Sequence, residues 1–254
     1  MIKTVDLNCD LGEAFGNYSM PNDVLLMDYI SSANIACGFH AGDGHVMEQT
    51  IALALARNVA IGAHPGFPDL QGFGRREMKC SPREVYQLTL YQIGALYAFV
   101  KAAGAKLNHL KPHGALYNMA AKDYLLAQAI ASAVKDFDAD LIVYGLAGSD
   151  LITAAQDLGL KTASEVFADR TYQDNGALTP RTQDNALIKD EQLAMAQVLQ
   201  MVSEQRVNTV TGNSVSLLAE TICLHGDGLN AVDFARKITA ALQAENIMIK
   251  APHS

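Results

Sequence analysis

Residues 124–158 read YLLAQAIASAVKDFDADLIVYGLAGSDLITAAQDL. A helical stretch from Tyr124 to Lys135 leads into the short apolar run Leu141-Ile142-Val143-Tyr144, and a second helical stretch follows from Ser149 to Leu158. A short, uninterrupted apolar run held between helices reads as a strand buried on both faces, the form strands take in a parallel sheet.

The alternation continues in both directions. Upstream lie Thr4 to Cys9, Ala33 to Cys37, Val59 to Ala63 and Leu107 to Lys111; downstream lie the weaker Thr162 to Val166 and then Thr221 to Leu224. Further helices are expected at Val46 to Asn58, Pro82 to Ala103, Asp190 to Glu204 and Ala231 to Ala244. Ser81-Pro82 followed by Glu84 reads as an N-cap with proline at the first helical position, and Gly104 and Gly159 fall where helices end. Seven strands alternating with helices predict βαβ units and a parallel sheet. With no composition break, repeat or linker, one domain over residues 1–254 is expected. The expected closure is a seven-stranded parallel β/α barrel of TIM-like, deacetylase-like form, one strand short of the usual eight; an open doubly wound sheet is the alternative. The polar stretch Asp169 to Asp190 is long for a connection, and long ordered loops are often functional.

Composition narrows the function. The chain has 254 residues, 50% hydrophobic and 18% charged, with a formal net charge of −8. A chain of this length can bury about 75% of its unfolded surface, so a large core is available. No apolar run reaches the roughly 18 residues of a membrane span. The acidic balance, with no basic block, disfavours nucleic acid or a membrane as partner. Cys9, Cys37, Cys80 and Cys223 form no CxxC pair and read as free thiols, three of them in strand-like runs. Met1-Ile2-Lys3-Thr4 leads straight into a strand without a signal peptide, so a cytoplasmic location is expected.

In parallel α/β folds the active site gathers at the C-terminal ends of the strands. Those ends carry Asp10 and Glu13; His40 and Asp43; His64-Pro65-Gly66 and then Gly72-Phe73-Gly74-Arg75-Arg76; Lys111-Pro112-His113-Gly114; Asp169-Arg170-Thr171-Tyr172; and His225-Gly226-Asp227. Five of the seven histidines (His40, His45, His64, His113 and His225) lie at or just beyond them. One such histidine is commonly structural; several on one rim, each beside Gly or Pro, mark a ligand or catalytic site. Asp10, Glu13 and Asp227 are candidate acids or bases, or alternatively turn-rigidifying acceptors. Asp6 and Asn8 alternate with Val5, Leu7 and Cys9, which turns both toward the barrel interior. Lys111 and Arg170 are candidate oxyanion or phosphate stabilisers, and Arg75-Arg76 either clamp an anion or solvate a turn. Asn8, His64, Arg75, Arg76 and Tyr172 are taken as substrate-binding. Asp10, His64 and His113 are the residue types of a metal site, but no HExxH or short-spaced ligand pair is present, and no metal is assigned. The P-loop, the opening G-x-G-x-x-G and G-x-S-x-G are all absent, which disfavours a P-loop ATPase, a Rossmann dehydrogenase and an α/β-hydrolase.

Seven segments in chain order resemble the LamB/YcsF family. They are Asp6–Glu13, Asn34–Asp43, Gly62–Gly66, Gly72–Arg76, Lys111–Tyr117, Phe167–Arg170 and Cys223–Asp227. The resemblance spans nearly the whole chain; Gly44, where proline is common in the family, is a departure confined to a turn. It implies the A subunit of a bacterial 5-oxoprolinase, which opens the 5-oxoproline (pyroglutamate) lactam to L-glutamate with ATP. It further implies separate B and C subunits, ATP as co-substrate of the complex, no tightly bound cofactor, and a barrel related to polysaccharide deacetylases. On this reading Asp10 is the first choice of base, followed by His113 or His40. Lys111 and Arg170 stabilise the oxyanion and phosphate, and His225 or Asp227 protonates the leaving nitrogen. Two other readings stay open: a stand-alone metal-dependent, deacetylase-like amide hydrolase, and a non-catalytic subunit that delivers substrate.

Overall fold

The computed structural model describes residues 3–224, 226 and 230–253. Seven parallel strands form the barrel: β1 (Thr4–Leu11), β2 (Ser32–Ala36), β3 (Ala60–His64), β4 (Leu107–Leu110), β5 (Ile142–Leu146), β6 (Lys161–Phe167) and β9 (Thr221–Leu224). They pair in that order, and β1 closes the circle against β9, with Asp6 opposite Thr221 and Asn8 opposite Cys223. The open-sheet alternative is thereby excluded. A two-stranded antiparallel ribbon, β7 (Arg206–Asn208) with β8 (Ser214–Ser216), precedes β9, and β10 (Met248–Ile249) pairs with the start of β1. The helices are α1 (Asp23–Leu26), α2 (Gly44–Ala56), α3 (Pro82–Ala102), α4 (Gly114–Ala120), α5 (Tyr124–Phe137), α6 (Asp150–Asp157), α7 (Glu191–Glu204) and α8 (Ala231–Ala244). None of the described helices is long and apolar enough to cross a membrane.

The strand alternation sorts the barrel into two cores. Val5, Leu7, Cys9 and Leu11 of β1 join Ile35, Ile61, Leu110, Val143, Val166 and Ile222 in the apolar layer beneath the helices. Helix α5 contributes Leu126, Ala127, Ile130, Ala131 and Val134 to that layer. Each Leu or Ile buried there stabilises the fold by about 1.5–3 kcal/mol. The longest helix, α3, begins at the expected cap: Ser81 Oγ accepts the Glu84 N–H, while a Glu84 carboxylate oxygen accepts the Ser81 N–H at 2.7 Å.

The inward residues are largely polar. Asp6, buried to 1% exposure, accepts hydroxyl hydrogen bonds from Ser31 (2.5 Å), Ser32 (2.8 Å) and Thr221 (2.6 Å). Asn8 donates to Thr221 Oγ1 at 2.7 Å and to Glu165 Oε1 at 3.0 Å, and its own Oδ1 accepts from Asn34 at 2.8 Å. His109 Nε2 reaches Asn34 Oδ1 at 2.8 Å, and its ring stacks on Tyr144. Gly62 makes room for that ring, since a Cβ there would lie 2.0 Å from His109 Nε2. Buried polar groups are costly when unpaired; here they are cross-linked through the barrel and fix the strand ends on which the rim residues stand. Cys9, Cys37 and Cys223 are buried free thiols and Cys80 is half-buried and free.

The candidate active site

Lys111 follows β4 and is 2% exposed. Its ammonium lies 2.7 Å from Glu165 Oε1 of β6 and 3.0 Å from Asp10 Oδ1 of β1. It also donates to Asn8 Oδ1 at 3.1 Å. Burial alone would discharge Lys111, but the carboxylates of Asp10 and Glu165 hold its pKa well above the ordinary lysine value. Glu165 is shared further: its Oε2 accepts the Tyr117 hydroxyl at 2.6 Å. For Asp10, burial is outweighed by neighbouring His64 and Lys111, and the carboxyl stays well below the usual carboxylate range.

Beside this pair stand three imidazoles and Glu13. Glu13 Oε1 lies 3.3 Å from both His40 Nε2 and His113 Nδ1. Asp10 Oδ2 lies 3.3 Å from His64 Nε2. His40 and His113 stack with ring centroids 3.8 Å apart. Burial of Glu13 is outweighed by its contacts with His113 and His40, which set its carboxyl at about 2. His40 is pushed down to about 3, by burial first and then by His113. One ligand atom from each of Glu13, His40, His64 and His113 falls within 4.8 Å of the others, a spacing at which they can hold a metal ion.

The floor opens into a cavity of about 440 Å³. Asp10, Lys111 and His113 form its base, Leu146 and Phe167 an apolar wall, and Ala177 to Arg181 the facing side. That facing side belongs to the long polar loop, which therefore lies over the strand ends. Buried Arg170 anchors it by donating to Thr179 O at 2.6 Å and Ala186 O at 3.3 Å. Among the described residues, the charged members of the lining are Arg75, Lys111, Lys122, Arg170, Arg181 and Asp10, five cations to one carboxylate.

The structure thus gathers Asp10, Glu13, His40, His64, Lys111 and His113 at one place, and brings Arg75 and Arg170 to the cavity wall. Four residues taken as substrate-binding do not line the cavity. Asn8 is fully buried below the floor, with its amide engaged by Lys111, Asn34, Glu165 and Thr221. His64 belongs to the imidazole cluster behind the cavity and is also fully buried. Tyr172 is 1% exposed, with its hydroxyl oxygen accepting the Phe167 N–H at 2.8 Å. Arg76 pairs with Asp69 and braces the turn of the Gly72–Arg76 loop. His225 and Asp227 lie outside the described residues.

Sequence reasoning missed Glu165, Tyr117 and Arg181. Glu165 is the one carboxylate within its strand-like run, and a charge in a buried strand was the available signal. Nothing local to Arg181 announces that its loop folds over the rim.

The LamB/YcsF family profile matches residues 5–254. The 5-oxoprolinase A subunit of Tolumonas auensis is 61% identical over 247 residues, covering 97% of this chain and 98% of that protein. The subunit of the same name from Geobacillus thermodenitrificans is 61% identical over 250 residues, covering 98% of this chain and 97% of its own. The crystal structure of a lactam utilization protein from Thermus thermophilus superimposes with a TM-score of 0.93 at 45% identity, over 98% of this chain and 100% of that one. A T48 deacetylase with substrate shares the fold alone, with a TM-score of 0.50 at 13% identity over 98% of this chain and 87% of that one. Given a profile and relatives that run end to end through the segments lining this rim, the chain belongs to the LamB/YcsF family.

Proposed function

We propose that this chain is the A subunit of an ATP-dependent 5-oxoprolinase, and that its cavity is where the lactam ring is opened to L-glutamate. The observation that carries the reading is the cavity's charge. In a chain of net charge −8, the described residues of the lining hold five cations and one carboxylate. Such a pocket suits a small substrate bearing a carboxylate and, once activated, a phosphoryl group. The names of relatives that match the chain end to end support the same reaction.

A lactam is a poor electrophile. Transfer of the ATP γ-phosphoryl group to its carbonyl oxygen makes the ring carbon electrophilic. In the absence of a P-loop we assign that transfer to the B and C partner subunits. Water then adds to the ring carbon: a C–O bond forms, the C–N bond breaks with its electron pair going to nitrogen, and nitrogen gains a proton; a second water displaces inorganic phosphate from the resulting acyl phosphate and leaves the side-chain carboxylate of glutamate. Asp10 stands at the cavity base to orient the water and take its proton as the bond forms. The Lys111 ammonium faces the developing oxyanion. Arg75 and Arg170 hold the anionic groups, with Arg170 also fixing the loop. His225 or Asp227, next along the chain from β9, is assigned the proton for the leaving nitrogen.

The test is glutamate release from 5-oxoproline and ATP, by the chain alone and with its B and C partners. Release only from the full mixture supports the assignment. Release by the chain alone would make it a stand-alone hydrolase, and no release from folded proteins would overturn the lactam reading.

A further inference from the structure

His113, on the cavity floor, meets His64 just behind it, with one nitrogen of each ring already committed. His64 Nδ1 lies 2.7 Å from the Lys111 carbonyl oxygen, and His113 Nε2 lies 2.8 Å from that of Phe73. A carbonyl only accepts, so these nitrogens carry the ring protons. The remaining nitrogens, His64 Nε2 and His113 Nδ1, present lone pairs 3.0 Å apart. Glu13 Oε1 lies 3.3 Å from His113 Nδ1 and 3.9 Å from His64 Nε2, and Asp10 Oδ2 lies 3.3 Å from His64 Nε2. Four acceptor atoms converge with no donor among them. One added proton bridges a single pair and leaves the other contacts acceptor against acceptor. A divalent cation satisfies them together.

We infer that Glu13, His64 and His113 form a binding site for a divalent first-row transition-metal ion of the zinc type, with Asp10 at its open edge toward the cavity. Tetrahedral ligands about 2.1 Å from zinc stand about 3.4 Å from one another; the separations here are 3.0, 3.3 and 3.9 Å. Each histidine is oriented by a hydrogen bond from its far nitrogen to a backbone carbonyl, which is how metal-ligating imidazoles are held. His40 flanks the set, 3.3 Å from Glu13 Oε1 through Nε2. The loop backbone is packed directly onto these rings, since a Cβ at Gly74 would lie 2.8 Å from His113 Cδ2 and 2.8 Å from His40 Cβ. The three ligands come from three separate strand ends, so no short-spaced motif announces them. Water on such an ion ionises near pH 7, which would supply the nucleophile beside Asp10. That last role rests on the proposed lactam chemistry; the binding does not.

The test uses the full chain, stripped with chelator and reloaded with Zn²⁺ or with Co²⁺ as a spectroscopic probe. Bound metal is counted after gel filtration. The expected result is about one ion per chain, with the visible bands of a four-coordinate cobalt site. His64→Gln and His113→Gln should each lower affinity roughly 100-fold. Glu13→Gln, the mildest change of shape, should weaken binding while the circular dichroism stays native. The exposed His45→Gln should bind like wild type. Wild type holding less than about a tenth of an ion per chain, or a full ion retained in the His64 and His113 variants, would overturn the site. One ion bound without glutamate release would keep the site and sink the lactam reading. Full release from metal-free protein with its partners would keep the lactam reading and overturn the ion's part in it.

Discussion

The Lys111 ammonium and the Glu165 carboxylate lie 2.7 Å apart, with Lys111 3% and Glu165 0% exposed at the side chain. This pair ties the end of β4 to the interior of β6 and holds the cation that faces the cavity. Removing one partner of an isolated buried pair costs about 3–5 kcal/mol, but Lys111 keeps the Asp10 carboxylate at 3.0 Å when Glu165 is neutralised, which offsets part of that cost. Glu165→Gln should therefore lower the unfolding free energy by about 1.5–3 kcal/mol, the range for a lost hydrogen bond to a charged group, as measured in urea. An unchanged denaturation midpoint would show that the pair does not stabilise the barrel.

Asp10→Asn keeps the shape at the cavity base and removes the negative charge. Glutamate formation with the partner subunits should fall by about 100-fold or more, while partner binding and the folded spectrum persist. Near-wild-type turnover would remove Asp10 from the reaction.

Arg75 and Arg76 are neighbours with different placements. Arg75 lines the cavity, whereas Arg76 pairs with Asp69 and keeps a side chain 67% exposed. Arg75→Ala should raise KM for 5-oxoproline about tenfold, the loss of one charge-assisted hydrogen bond. Arg76→Ala should leave KM within about threefold and change stability little, since the guanidinium is largely in solvent. Equal kinetic effects in the two variants would contradict the assignment of Arg75 alone to the cavity.

Asp23 gives a pH signature. Its carboxylate accepts the Gly12 N–H at 2.9 Å, but burial dominates and pushes its pKa up to about 6. The unfolded chain releases the same proton near 3.9. Between these values the folded state binds more protons than the unfolded one, so this group's contribution to stability falls as pH rises through that window and stays low above it. Allowing for its partial exposure, the loss is about 1–2 kcal/mol. Asp23→Asn should match wild type near pH 4 and exceed its stability by that amount at pH 7.5. A difference that does not vary with pH would show that Asp23 is not the group responsible.

The barrel was legible in the chain because its determinants are local. Apolar strand runs such as Leu141–Tyr144, the Ser81-Pro82-Glu84 cap and the alternation of Asp6 and Asn8 with Val5, Leu7 and Cys9 each act within a few residues. The rim was legible for a related reason: parallel strands deliver whatever follows them to one end, so Asp10, His40, Lys111 and His113 belonged together once the strands were placed. The two-strand β7–β8 ribbon and the short α4 carry too little periodicity to show in sequence. Tertiary structure alone decided the partners. Glu165 meets Lys111 across 54 residues, and His64 meets His113 across 49, because barrel closure sets strand order and register, and those pairings depend on atoms far apart in the chain. The same closure separated Arg75 from Arg76 and sent Asn8, His64 and Tyr172 beneath or behind the cavity: residue type proposes a role, but burial and the nearest partner assign it.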